Sequence, residues 1–156
     1  MIKTTLCYLE HGGQYLMLHR VKKENDLNHD KWIGVGGKFE EGESADDCLL
    51  REVREETGLE LASYELRGIV EFISDVWPAE EMYLYTARPV LPDGADTPLP
   101  DCAEGVLEWV DISKVPALPL WEGDRIFLKK LAAGDPFFHL RLEYEGDRLI
   151  QSTESL

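Results

Sequence analysis

The chain has 156 residues, 31 acidic against 16 basic, for a formal net charge of −15. That length and a 44% hydrophobic content fit one domain, residues 1–156, with a core of its own. The acidic excess argues against a surface that grips nucleic acid polymers by neutralising phosphates, but it leaves room for a small polyphosphate shielded by a metal and a few cations.

In chain order, IKTTLCYLE (2–10) and QYLMLHR (14–20) read as strands joined by His11-Gly12-Gly13, a hairpin signal. The polar VKKENDLNHDK that follows reads as a mobile loop. WIGVGGK (32–38) is short, apolar and rich in glycine, so its backbone can approach a ligand closely. A helix is predicted over 44–57. Ser44 is its N-cap, with Asp47 completing a capping box, and Gly58 lies just past its end. LRGIVEFIS (66–74), EMYLYTARPV (81–90) and GVLEWVD (105–111) read as strands, with a Pro- and Asp-rich loop over 91–101. ISKVPALPLW (112–121) is broken by prolines. EGDRIFLKKLAAG (122–134) has helical spacing, and 137–153 reads as a hairpin turning at Glu145-Gly146-Asp147. Strands and helices in this order predict an α/β fold in which helices pack on a mixed sheet.

Cys7, Cys48 and Cys102 are odd in number and widely spaced, with no CxxC pair, so they read as free thiols. No run approaches the ~20 apolar residues of a membrane span. The N-terminal stretch lacks the features of a signal peptide. A cytoplasmic protein is the expectation.

The first helix breaks its own amphipathic pattern. At about 100° per residue from Ala45, Cys48, Leu49 and Val53 lie within roughly 80° and form an apolar stripe. Glu52 and Glu56 fall roughly 20° to either side of Ala45, in the middle of that stripe. Burying two carboxylates on adjacent turns is costly, because each loses water and each repels the other. A hard divalent ion removes both problems, and oxygen donors without His or thiolate suit Mg²⁺ or Mn²⁺. Taken alone, the same helix also suits an exposed, salt-bridged end. Arg51 and Glu55 stand one turn apart and can pair.

The residues around the helix complete a longer pattern. GKFEEGESADDCLLREVREETGL (37–59) fits G-x5-E-x7-R-E-U-x-E-E-x-G-U, with U a bulky aliphatic residue, at Gly37, Glu43, Arg51, Glu52, Val53, Glu55, Glu56, Gly58 and Leu59. This run is similar to the signature of the Nudix hydrolases. The resemblance implies an α/β/α sandwich with a mixed β-sheet, and Mg²⁺-dependent hydrolysis of nucleoside diphosphate derivatives, with Mn²⁺ able to substitute. It assigns Glu52, Glu55 and Glu56 to holding metal or orienting water. Gly37 would offer a backbone oxygen, Arg51 would position Glu55, and Glu43 would support the loop.

The C-terminal segments resemble the MutT-type 8-oxo-dGTP diphosphatase branch. That likeness adds Glu104 to the metal site and places Trp121, Asp124 and Phe72 around a purine. Lys23, Arg20 and Lys38 become candidate phosphate-binding cations. Two departures stand out. Ile33 occupies the place where an Asn hydrogen-bonds the base, and Gly123 the place where an acid adjoins Asp124. The resemblance implies an oxidised purine nucleoside triphosphate such as 8-oxo-dGTP as substrate, and the two departures leave another nucleotide open. The alternatives are a nucleotide sugar, a dinucleoside polyphosphate, or a noncatalytic nucleotide-binding module.

Overall fold

The computed structural model describes residues 1–22, 26–91, 99, 102 and 104–155. Lys23 and most of the 91–101 loop lie outside the described residues. Strand β1 (Ile2–His11) is the organising element. It runs parallel to β6 (Glu80–Pro89) and antiparallel to β4 (Val35–Lys38). Strand β5 (Leu61–Ser74) continues the sheet antiparallel to β6 and parallel to β8 (Phe138–Glu145), and β9 (Arg148–Ser155) closes that edge. At its far end β1 turns through Gly12 and Gly13, both at positive φ, into β2 (Gln14–His19). Two adjacent positive-φ residues are what a tight hairpin demands. Strand β2 then pairs with β7 (Val106–Asp111) and with the short β3 (Trp32–Ile33). The sheet is mixed, as expected.

Successive residues of β1 serve opposite faces. Leu6 and Tyr8 join a core cluster with Phe127, Leu128 and Leu131 of helix α2 (Glu122–Ala133). Cys7 and Leu9 join another with Leu49 and Val53 of helix α1 (Ala45–Thr57). A strand covered on both faces reads as an unbroken apolar run, which is why TTLCYL carries no alternation. Each fully buried leucine contributes about 1.5–3 kcal/mol of transfer free energy, so both helices are anchored chiefly by packing. Cys7, Cys48 and Cys102 are buried free thiols. Among the described residues no helix is long and apolar enough to cross a membrane.

The capping box of α1 forms on both sides: Asp47 N–H donates to Ser44 Oγ at 3.1 Å, and Ser44 N–H to Asp47 Oδ2 at 3.2 Å. Gly58 ends the helix at φ 71 with its N–H on Arg54 O at 2.9 Å. Four stretches differ from expectation. The 32–38 run is two strands broken at Gly34, because β3 joins β2 whereas β4 joins β1. Strand β5 begins at Leu61 rather than 66, since register shifts at Leu61/Ser63 and Leu66/Gly68 interrupt the alternation that marks a strand. Residues 26–31 form a hydrogen-bonded turn (His29 N to Asp26 O, Lys31 N to Asn28 O) where a loose loop was expected. The stretch Ile112–Ala117, read as irregular, is a short 3-10 helix holding Pro116.

Candidate functional site

The site is built outward from Arg51, midway along α1. Its guanidinium donates to Glu43 Oε2 at 2.7 Å and Oε1 at 2.8 Å, to Glu52 Oε1 at 2.8 Å, to Glu55 Oε2 at 3.1 Å, and to the Lys38 carbonyl at 3.0 Å. One rigid, always-charged fork thus ties three carboxylates of the 37–59 run to the end of β4. The bidentate bond from Arg51 holds the Glu43 carboxyl down at about 2. Glu55 is 58% exposed and, among the described residues, is tied to the cluster through Arg51.

Glu56 makes no bond to Arg51 and meets that network through Glu52. It is 8% exposed, on the buried side of α1, and its Oε2 has no hydrogen-bond partner among the described residues. Burial, followed by the charges of Glu104 and Glu52, pushes its carboxyl up to about 9; Arg20 works in the opposite direction. Gly37 lies directly against Glu52: a Cβ there would come within 2.6 Å of the Glu52 carboxyl. Glu104 receives Arg20 Nη1 at 2.6 Å, while Arg20 Nε donates to Asp26 at 2.7 Å.

These residues fit a hard divalent cation on two grounds. A buried carboxylate oxygen lacks a protein partner, and β4 approaches Glu52 where only glycine leaves room. The carboxylates and the Gly37 carbonyl offer oxygens, as Mg²⁺ or Mn²⁺ prefers, and the nearby Cys48 thiol is turned to the Gly37 carbonyl at 3.6 Å. As the side chains stand, no three acidic, imidazole or thiol groups converge at ligand distance among the described residues, and Glu52 is turned towards Arg51.

A cavity of about 460 Å³ opens beside this cluster and runs across the sheet to α2. Of the sequence-predicted residues, Gly37, Lys38, Glu52, Arg20, Glu104, Ile33, Phe72, Trp121 and Asp124 line it. Glu43, Arg51, Glu55 and Glu56 are not among the lining residues; Arg51 and Glu43 instead hold Glu52 in place. Arg20 reaches the cavity already committed to Asp26 and Glu104.

At the opposite end, Trp121 caps α2 and meets Phe72 and Tyr144 edge-on, with ring centroids 5.4 Å and 5.0 Å away. Its indole N–H donates to Asn28 Oδ1 at 2.8 Å, and Lys31 Nζ lies 4.7 Å from the ring centroid. Asp124 is 6% exposed, and its carboxylate has no hydrogen bond among the described residues. Burial raises it to about 7, against the pull of Arg125 and Lys31.

The structure explains one departure from the resembled branch. A Cβ at Gly123 would lie 2.5 Å from Leu142 Cδ1 and 2.6 Å from the Tyr144 hydroxyl, and the Gly123 N–H donates to that hydroxyl at 2.7 Å. A second acid has no room there.

Sequence reasoning missed Asp26, Asn28, Thr4 and Glu80, which also line the cavity. The spacing NDLN (25–28) is an Asx-turn signal, realised as Asn28 N–H to Asp26 Oδ1 at 3.2 Å. An acid opening a strand, as Glu80 does, carries no such mark.

Comparison with known proteins gives a consistent family. The NUDIX domain family matches residues 3–131. The chain is 28% identical over 146 residues to the uncharacterized Nudix hydrolase YvcI of Bacillus subtilis (strain 168), covering 91% of this chain and 86% of that protein. It is 28% identical over 102 residues to an oxidized purine nucleoside triphosphate hydrolase of Danio rerio, covering 65% of this chain and 63% of that one. A NAD-capped RNA hydrolase, NudC of Pseudomonas fluorescens, is 33% identical over 85 residues, which span only 29% of its length. Among solved structures the fold is similar to a MutT protein from Bacillus halodurans. That match has a TM-score of 0.83 at 25% identity and covers 99% of this chain and 98% of that one.

Proposed function

The chain belongs to the Nudix hydrolase family, enzymes that act on phosphoanhydride bonds, and from that premise we propose that it is a Mg²⁺-dependent nucleotide pyrophosphatase. Water and a purine nucleoside triphosphate, oxidised forms such as 8-oxo-dGTP included, give the nucleoside monophosphate and pyrophosphate. The carrying observation is one continuous cavity with Glu52, Gly37, Lys38 and Glu104 at one end and Phe72, Trp121 and Asp124 at the other. A polyphosphate needs the first set, and a purine the second.

Nudix hydrolases generally use a divalent metal such as Mg²⁺. Here Glu52, Glu55, Glu56, Glu104 and the Gly37 carbonyl are the oxygens that would hold it, with Mn²⁺ as a substitute. When bound, it neutralises phosphate charge and lowers the barrier to attack by water. Arg51 and Glu43 hold Glu52 at the cavity, and Arg51 tethers the exposed Glu55 beside it. A carboxylate of this group takes the proton of the attacking water. Lys38 shields phosphate oxygens, and Lys23 and Arg20 are further candidates. Phe72 and Trp121 form an apolar wall for the base, and Asp124 reads donors on its edge. Ile33 offers the base contact but no hydrogen bond, which supports a broad rather than strict purine preference. The buried free thiols support a reducing, cytoplasmic setting for a single domain spanning 1–156.

A second reading retains the chemistry and changes the leaving group, to a nucleotide sugar or a dinucleoside polyphosphate; the missing acid at Gly123 and the missing amide at Ile33 favour keeping it. The test is a panel of canonical, oxidised and sugar-linked nucleotides with Mg²⁺, read by product identity. Monophosphate plus pyrophosphate from purine triphosphates is expected. Cleavage confined to sugar-linked or dinucleoside substrates would reverse the order of the two readings. Absence of metal-dependent cleavage across the panel would leave a binding module.

A further inference from the structure

The cavity holds an acid that neither the carboxylate cluster nor the base wall uses. Glu80 opens β6 and lines the cavity, largely withdrawn from solvent. One of its oxygens, Oε2, accepts a 3.4 Å hydrogen bond from Thr4 Oγ1; its other oxygen has no protein partner among the described residues. Burial raises its carboxyl, and Thr4 and Lys38 pull it back.

Sheet register fixes where this acid stands. Residues directly opposite one another on neighbouring strands share a face. Thr4 of β1 is opposite Lys38 of β4 on one side and Met82 of β6 on the other. One pleat along, Glu80 is opposite Ile2 of β1 and Phe72 of β5. Across the cavity floor the order is therefore Lys38, Thr4, Glu80, Phe72, with Trp121 packed on Phe72. Glu80 and Thr4 lie between the cation at the phosphate end and the rings at the base end. In a nucleotide, the group between phosphate and base is the sugar.

We propose that Glu80, steadied by Thr4, accepts the sugar hydroxyls of the bound nucleotide and makes the cavity select ribose over 2′-deoxyribose. This rests on the reading that a nucleotide spans the cavity with its phosphates at Lys38. The chemistry follows from what a carboxylate lacks. It has no donor, so it rewards a group that donates twice from adjacent carbons, and the 2′,3′-diol does so. A 2′-deoxy sugar leaves one acceptor facing a cavity from which water has been displaced. An unmatched charged acceptor of that kind costs about tenfold to a hundredfold in binding. The preference concerns the sugar only: it leaves the oxidation state of the base open and ranks a ribonucleotide above the deoxy form of the same base, 8-oxo-dGTP included.

The test compares wild type, Glu80→Ala, Glu80→Gln and Thr4→Val by two readouts. One is kcat/KM for GTP against dGTP and ATP against dATP with Mg²⁺. The other is calorimetric affinity for GMP against dGMP, which needs no turnover. Wild type is expected to prefer the ribo form by about tenfold or more in both. In Glu80→Ala the ratio collapses to near one, because the ribo form loses its acceptor and the deoxy form no longer faces an unmatched one. Thr4→Val, which keeps the carboxylate but frees it, lies between; Glu80→Gln, nearly isosteric, retains the fold and lowers the ratio. Equal ribo-to-deoxy ratios in wild type and Glu80→Ala overturn the assignment even where triphosphates are cleaved. A GMP preference lost in Glu80→Ala, without cleavage of any triphosphate, upholds the subsite while the pyrophosphatase reading fails.

Discussion

Each helix turns one carboxylate inwards, Glu56 from α1 and Asp124 from α2, and the two are buried to nearly the same degree. Their surroundings differ. Glu56 is crowded by Glu52 and Glu104, so repulsion adds to desolvation. Asp124 stands in apolar surroundings beside Trp121 and Tyr144, with Arg125 and Lys31 pulling against its desolvation. The first setting calls for a cation and the second for a neutral donor such as a base edge. Burial alone does not announce a role; the sign of the neighbouring charges does.

The comparison breaks most sharply at Glu56. Glu56→Gln is expected to remain folded and to lose about a thousandfold or more in kcat at saturating Mg²⁺, as losses of positioned charge at such sites do. The variant also changes stability. Glu56 keeps its proton in the metal-free folded protein up to about pH 9, whereas an ordinary carboxyl ionises near 4.5. Unfolding between those values releases a proton, so stability falls as pH rises through the window. Thermal unfolding of the metal-free protein should show that slope, and Glu56→Gln should flatten it.

Next in size is Arg51→Lys. An ammonium cannot replace the planar fork that serves Glu43, Glu52 and Glu55 together. A loss of about ten- to a hundredfold in kcat is expected, with stability lower by about 1–3 kcal/mol. Unchanged kcat with lowered stability would make the clamp purely structural.

At the other end, Asp124→Asn should act on KM rather than kcat, raising it about tenfold for purine triphosphates. Burial holds the Asp124 carboxyl at about 7, so wild-type KM should rise as pH falls through that value, whereas the variant stays flat. Gly37→Ala is the mildest for the fold. The added Cβ meets the carboxyl end of the Glu52 side chain rather than backbone, so it displaces that carboxyl from Arg51 at little cost to the fold: melting should barely move while Mg²⁺ affinity drops about tenfold. The same change at Gly36 strikes the Thr5 carbonyl at the backbone and should unfold the protein, which sharpens the contrast between the neighbours.

The two ends of the cavity also differ in how legible they are in sequence. The α1 end is mostly local: apart from Glu104, its acids, Arg51 and both caps fall within Gly37–Leu59, and helical period alone exposes Glu52 and Glu56 as misplaced. The α2 end is assembled from distant segments. Trp121 and Asp124 came through resemblance, and Trp121 reaches Asn28 at a separation of 93 residues. No local pattern carries that. Glu80 escaped notice because its meaning comes from register with Thr4 and Phe72. Strand β5 was clipped because bulges erase alternation, and Gly34 hid a change of sheet partner. Fold class was readable because strand and helix periods are local; pairing order was not.

The central claim is that the buried acid of α1 is there to hold a divalent ion, and Mn²⁺ binding followed by electron paramagnetic resonance tests it without reference to turnover. Wild type should bind Mn²⁺, release protons on binding, and lose the ion to competing Mg²⁺, while Glu56→Gln binds about a hundredfold more weakly. Equal Mn²⁺ affinity and equal proton release in the two proteins would contradict the account.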